Sequence, residues 1–150
     1  HGVVDLDFLW RGAGSLLPDS GAHSRCCDAF WAACQEAGLC KEGEPKKLRD
    51  GASRRAAAAL ALERFGSEIT SFRAHLRDNC GIWVLGQGEI EVYAGLSASA
   101  KREIATAVQE LRAGSRMPLH PEELDHLFAW AGLTSAAESF DSRPEPPQVH

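Results

Sequence analysis

Residues 23–40 read HSRCCDAFWAACQEAGLC, and this stretch holds four of the five cysteines of the chain. Its apolar side chains recur at the spacing of one helix face, at Cys26, Phe30, Ala33, Cys34 and Ala37. Gly38 follows where a left-handed residue commonly ends a helix. The stretch therefore predicts a helix from Cys26 to Ala37, with the adjacent thiols of Cys26 and Cys27 in its first turn.

The rest of the chain predicts an α+β fold. We predict strands within 1–10 and over 69–76, 82–85 and 89–94, the last two joined by a tight hairpin at Gly86-Gln87-Gly88. Further helices are predicted over 54–65, from Ser97 or Ser99 to Ala113, and over 121–131, with loops over 12–22 and 41–51. This order favours one antiparallel sheet of three to four strands covered by helices, in a single domain over 1–140. The proline-rich segment 141–150 is predicted to be a disordered tail.

Composition restricts the classes of partner. The chain has 150 residues, of which 44% are hydrophobic and 25% charged, as expected for one domain with one core. Its net charge of −5 argues against a nucleic-acid partner. The basic run from Lys46 to Arg55 is interpreted as a solvated helix entrance, or alternatively as a contact surface for an acidic partner. The longest apolar run, 56–62, is too short for a membrane span. We therefore expect a soluble protein, either cytoplasmic or a mature secreted fragment.

The cysteines allow three interpretations. A thiol at a helix N-terminus has a lowered pKa because the helix dipole favours the thiolate, so Cys26 or Cys27 is a candidate nucleophile. Free cysteine is also among the most buried residue types, so Cys26 and Cys34 could simply pack in the core. Structural zinc is the third interpretation, with soft ligands drawn from His23, Cys26, Cys27, Cys34, Cys40 and Cys80.

Three segments resemble the NlpC/P60 branch of the papain-like cysteine hydrolases. Phe8-Leu9-Trp10-Arg11-Gly12 resembles the Tyr-x-Trp-Gly-Gly motif of that family. Cys26-Cys27-Asp28-Ala29-Phe30 resembles its Asp-Cys-Ser-Gly-Phe helix, and the segment from Gly81 to Gly88 resembles its Val-Gly-Ile-Tyr-x-Gly-x-Gly hairpin. The resemblance covers residues 8–94 and implies a papain-like fold that cleaves amide bonds without a cofactor.

The resemblance implies a catalytic set that this chain matches in part. It places the nucleophile at Cys26 or Cys27, and it places Asn79 where the family has its catalytic histidine. His75 lies four residues upstream and is the nearby candidate base. Such a hydrolase needs a thiolate, an imidazole within hydrogen-bond reach and a group that orients the imidazole. The implied function is a cysteine hydrolase or a catalytically degenerate relative of one.

A non-enzymatic protein-binding module, such as an effector or immunity-type protein, is the alternative function. The absent catalytic histidine favours it, and so do the adjacent aromatic residues Phe30 and Trp31. Neighbours on a helix point in different directions, so one of the two is expected at a second interface or an exposed patch. The partner would be a peptide or a protein.

Two further groups of residues carry weaker metal signals. Asp5 and Asp7 alternate on the first predicted strand and could hold magnesium with Glu89 or Glu91, although an alternating pair is more often the wet face of an edge strand. His120 and His126 flank the acidic start of the last predicted helix, and an ordinary helix start explains the Pro-Glu-Glu pattern there. We therefore predict no metal site from either group.

Overall fold

The computed structural model describes residues 2–96 and 103–133. The chain falls into two compact units, the first ending at His120 and the second beginning at Pro121. The predicted tail over 141–150 and the predicted helix starts at Ser97 and Ser99 lie outside the described residues.

The first unit mixes helices and strands, as the α+β prediction requires. Its elements in chain order are β1 (Gly2–Val4), α1 (Phe8–Arg11), a 3₁₀ turn (Ala13–Leu16), α2 (Ser20–Glu36), β2 (Cys40–Lys41), β3 (Glu44–Leu48), α3 (Gly51–Cys80), β4 (Ile82–Val84), α4 (Ile90–Tyr93) and α5 (Ile104–Arg112). The second unit contains α6 (Pro121–Trp130), close to the predicted bounds 121–131.

The prediction of one antiparallel sheet with three to four strands is wrong. In the described part of the chain, the strands form two separate sheets of two strands each. β1 pairs with β4 in parallel, with Val3 opposite Trp83, whereas β2 and β3 form an antiparallel pair. β3 lies within 41–51, where the sequence predicts a loop. Parallel strands need a long crossover connection, and here the crossover includes the whole segment from α1 to α3.

The predicted hairpin over 82–94 is also wrong. Ile90–Tyr93 forms the short helix α4 instead of a strand. The chain after β4 already has hydrogen-bond partners near β1, because Leu85 N–H donates to the Val4 carbonyl and Leu6 N–H to the Gly88 carbonyl, each at 2.9 Å. The backbone hydrogen-bonding groups of the β4 region are thus paired with the β1 region, which is far away in sequence, rather than with the segment 89–94.

Helix α2 confirms the predicted cysteine helix but begins six residues earlier, at Ser20 rather than Cys26. The Asp19 side chain caps it by accepting a hydrogen bond from Ala22 N at 2.8 Å. At the other end Gly38 has φ of +66°, and Leu39 N–H donates to the Cys34 carbonyl at 2.9 Å. Cys26 and Cys27 therefore lie in the interior of the helix and not in its first turn.

Helix α3 includes the predicted helix over 54–65 and continues through 69–76, where the predicted strand is wrong. The predicted stop at Gly66 is a kink, where Phe65 has the non-helical angles φ −127° and ψ 25°. Beyond the kink the apolar residues keep helical spacing, at Ile69, Phe72 and Leu76. Ile69 and Leu76 are fully buried, so packing of this face continues the helix despite its β-prone residues.

The core of the first unit is built where α1, α2 and α3 pack together. The rings of Trp10 and Phe30 stack with centroids 4.2 Å apart and an angle of 12° between their planes. Cys26 and Cys34 belong to this core, which confirms their interpretation as packing residues. No helix within the described ranges has the length and apolar character of a bilayer span.

Candidate functional site

One cysteine lies against an imidazole, and the imidazole belongs to His23. On α2 the two residues are one turn apart, with Cys27 Sγ 3.3 Å from His23 Nε2 and 3.8 Å from Nδ1. His23 is buried, and its ring meets the edge of Phe72 with centroids 5.3 Å apart. The sequence placed His23 among zinc ligands and not beside a nucleophile, although its spacing of four residues from Cys27 is the helical contact distance.

The carbonyl of Leu9 limits what this pair can do. His23 Nε2 lies 2.6 Å from the Leu9 carbonyl oxygen, which can only accept a hydrogen bond. Nε2 must therefore carry a proton and donate it to Leu9. The nitrogen closest to the Cys27 sulfur is consequently a donor, so the acceptor nitrogen of the ring is Nδ1, at the longer distance of 3.8 Å from the sulfur.

The environment of the thiols favours the protonated form. Burial raises the pKa of Cys27, and the charge of Asp28 raises it further, against a lowering by Lys46. The pKa of Cys26 is raised to about 11, first by burial and then by Glu68 and Cys27. Because α2 begins at Ser20, both thiols lie beyond the first turn, where the helix dipole acts most strongly. The positions and raised pKa values of Cys26 and Cys27 therefore do not support the expected activated thiolate.

His75 and Asn79 come together, but away from a thiol contact. Both lie near the end of α3, with Asn79 Nδ2 3.3 Å from His75 Nδ1 and 3.2 Å from the His75 carbonyl oxygen. They share a face of this helix because they are four residues apart. Within the described ranges, His75 makes no hydrogen bond to Cys26 or Cys27.

The predicted metal ligands do not converge. Among residues 2–96 and 103–133, no group of three or more His, Cys, Asp or Glu side chains is arranged to hold a metal ion. This includes the candidate zinc ligands and the set of Asp5, Asp7 and Glu89, all of which the structure describes. His120 contacts the ring of Tyr93, with centroids 5.9 Å apart.

The first unit contains a cavity of about 250 Å³. Its apolar lining comes from four helices, with Trp10 on α1, Phe30 and Trp31 on α2, Leu62 on α3 and Val92 on α4. Phe30 and Trp31 are both buried, with 2% and 4% of their surface exposed. The expectation that one of them points to an exposed patch is therefore wrong, because both border the same cavity.

Charged side chains surround the cavity. Arg11 Nε lies 3.4 Å from an oxygen of Asp7, and Arg54 Nε lies 3.6 Å from Glu89 Oε1. Arg55 also lines the cavity and is exposed, and within the described part of the chain it forms no ion pair. The cavity thus has an aromatic interior and a charged edge.

Glu89 is a partly buried charge of this cavity. Its Oε2 atom is buried and has no hydrogen-bond partner among the described residues. Burial raises the pKa of Glu89, Arg54 opposes this effect, and Glu91, Asp5 and Asp7 reinforce it. The carboxylate of Glu89 is therefore only partly compensated by Arg54.

Comparison with protein-family models, with curated proteins and with solved structures gives no significant match. The resemblance to the NlpC/P60 hydrolases therefore rests on the three quoted segments. A function must be argued from the site itself.

Proposed function

We propose that this protein is a non-enzymatic binding module that accepts an apolar side chain of a partner protein or peptide into the cavity. The cavity bordered by Trp10, Phe30 and Trp31 is the observation that carries the proposal. Buried aromatic pockets with a polar edge are the places where partner side chains contribute most to affinity.

The size of the cavity favours a side chain over a whole cofactor. Small-molecule sites usually measure roughly 300–1,000 Å³. At about 250 Å³ this cavity lies just below that range and suits one inserted side chain with its neighbours at the edge. The ligand is therefore a protein segment rather than a bulky cofactor.

The cavity is also preformed, because contacts between its aromatic rings fix their positions. The Trp10 ring is stacked on Phe30, and Phe30 meets Trp31 edge to face with centroids 5.1 Å apart. Rigid aromatic side chains lose little conformational freedom on binding, so a preformed pocket gains affinity at a small entropic cost.

A cysteine hydrolase, or a degenerate relative of one, is the second candidate. The contact between Cys27 and His23 favours it. It is supported less well than binding, because the Leu9 carbonyl engages His23 Nε2 and burial raises the pKa of Cys27. An active hydrolase would pass the thiol proton to Nδ1, which lies 3.8 Å from the sulfur.

The test fills the cavity without disturbing the helix that borders it. Ala58 lies on α3 and lines the cavity, whereas Ala56 is exposed on the same helix and does not. Leucine and alanine are both good helix formers, so A58L and A56L are matched variants. Peptides are selected from a random display library on the wild-type protein, and their affinity for each variant is measured through tryptophan emission. A59L, also at the cavity, is a second filling variant should A58L fail to fold.

We expect the selected peptides to bind wild type and A56L alike and to lose about tenfold or more in affinity for A58L. Peptides that bind all three proteins equally would refute the proposal, because their site would lie elsewhere. Failure of the selection to enrich any peptide above an unrelated protein would refute it as well.

A further inference from the structure

The edge of the cavity is continuous with the most basic stretch of the chain. Between Lys46 and Arg55 the chain carries five basic side chains and one acidic side chain, although its net charge is −5. Leu48, Arg54 and Arg55 from this stretch line the cavity. The lining itself holds three basic and three acidic side chains, so the excess of positive charge lies in the adjoining stretch from Lys46 to Arg55.

Some of these cations are available to a ligand and others are engaged. Lys46 Nζ lies 3.1 Å from Asp28 Oδ1, and Lys47 Nζ lies 2.8 Å from Glu44 Oε2. Arg55 is exposed and has no ion pair within the described ranges. The Arg54–Glu89 distance of 3.6 Å is beyond hydrogen-bond length, so an incoming carboxylate can replace Glu89 as the partner of Arg54.

The acidic groups of the cavity are less suited to hold a cationic ligand. The acidic side chains of the lining are Asp5, Asp7 and Glu89. Asp5 has interactions within the protein, and Asp7 pairs with Arg11 at 3.4 Å. Glu89 pairs weakly with Arg54, and its second oxygen is buried, so a ligand cannot reach it from the cavity. Among the cations of the lining, Arg55 forms no ion pair within the described residues, and Arg54 precedes it in the chain.

We infer that the bound segment is acidic, with an apolar anchor residue flanked by Asp or Glu. The inference rests on the function proposed above and specifies its ligand. The anchor enters the cavity between Trp10 and Trp31, and a flanking carboxylate binds Arg55 or Arg54. Guanidinium and carboxylate groups match in a bidentate geometry, which makes such pairs both strong and directional.

The overall negative charge of the protein does not prevent an acidic segment from binding. At about 0.1 M salt, charges more than about 10 Å apart are largely screened, so the arginines beside the ligand dominate its electrostatic energy. The pairs lie at a partly exposed edge, so their contribution should weaken as salt rises.

The test compares two sets of short synthetic peptides with the same anchors, Leu, Phe or Trp. In one set the anchor is flanked by Asp and Glu, and in the other by Lys and Arg. Binding is measured by fluorescence anisotropy at low and high salt, on wild type, R55E, R54E and A58L. R25E is the control, because Arg25 is exposed on α2 and does not line the cavity.

We expect the acidic set to bind about tenfold or more tightly than the basic set at low salt. R55E or R54E should lose most of this preference, high salt should reduce it, and R25E should leave it unchanged. Tighter binding of the basic set, lost in A58L, would overturn the inference while the proposed binding function stands. Binding of either set that A58L does not weaken would instead refute the binding function. Self-association of the wild-type protein that A58L abolishes would also overturn the inference, because the occupant would then be a second copy of the chain.

Discussion

The carbonyl oxygen of Leu9 determines the chemistry available to Cys27. It lies 2.6 Å from His23 Nε2 and accepts a hydrogen bond from that nitrogen, which leaves Nδ1 as the acceptor of the ring. The sulfur is left beside a donor that is already engaged, in a partly buried position. The thiol and the imidazole are therefore in contact, but the closer ring nitrogen is a donor and the accepting nitrogen, Nδ1, lies 3.8 Å from the sulfur.

The rate at which iodoacetamide labels each cysteine measures directly how far its thiol is activated. With pKa values of about 11, Cys26 and Cys34 are on the order of 10⁻⁴ ionised near pH 7, against a few per cent for a free thiol. We expect iodoacetamide to label both about a hundredfold more slowly than a model thiol, and Cys27 also more slowly than that thiol. Tandem mass spectrometry assigns the label within the shared peptide, and C27S is the control. Labelling of Cys27 orders of magnitude faster than the model thiol would favour the hydrolase instead.

Cys34 should behave as a core residue. Its side chain is completely buried, with 0% of its surface exposed. C34S places an unpaired hydroxyl in an apolar site, so the free energy of unfolding should fall by about 1–3 kcal/mol in urea titrations. C40S is the matched control, because a serine there can keep the 3.1 Å hydrogen bond to the Pro45 carbonyl oxygen. Equal stability of C34S and wild type would contradict the packing interpretation.

Glu89 makes stability depend on pH. Its raised pKa means that folding favours the neutral carboxyl, so its contribution is complete below the unfolded-state pKa and is lost as pH rises through the higher folded-state pKa. E89Q, which stays neutral, should therefore be more stable than wild type near pH 7 and equal to it near pH 4. Urea midpoints at the two pH values test this. A less stable E89Q near pH 7 would show that the pair with Arg54 outweighs burial.

At the scale of elements, the two long helices α2 and α3 are set by their caps and by the spacing of buried residues. Gly38 and Gly66 show how differently one residue type can act. Gly38 ends α2 with φ of +66°, whereas Gly66 lies inside α3 without a positive φ. Neither glycine has a heavy atom within 4 Å of an added Cβ, so steric crowding does not separate them.

Alanine at these two glycines should have opposite effects. G38A forces a left-handed alanine and should lower the free energy of unfolding by about 1–2 kcal/mol. G66A should raise it by up to about 1 kcal/mol, because alanine is the better helix former. Urea unfolding of both variants provides the comparison. If G66A were as destabilising as G38A, Gly66 would be a helix end, as the sequence predicted, and α3 would not continue through it.

The sequence predicts the helices better than the sheets, for physical reasons. The pattern from Cys26 to Ala37 is local, since the contacts that stabilise a helix lie within one turn. Ile69, Phe72 and Leu76 carried the same spacing, but β-prone residue types and Gly66 suggested a strand. The pairing of β1 with β4 joins residues about 80 positions apart in the chain, as Val3 and Trp83 do. A preference for neighbouring strands made the hairpin over 82–94 look favourable.

At the scale of the first unit, no sequence motif predicts the cavity. Its lining joins residues from Asp5 to Val92, contributed by segments that meet only in the folded chain. Single members were visible in the sequence, among them Trp10, Phe30 and Trp31, but their convergence was not. The cysteine cluster, by contrast, was conspicuous in sequence and is mainly packing in the structure.

The central claim is that this cavity, and not the thiol cluster, is where the protein acts. The most direct test is the ratio of dissociation constants of A58L and A56L for peptides selected on the wild-type protein. We predict a ratio of about ten or more, with A56L equal to wild type. A ratio near one, in folded variants, would contradict the claim.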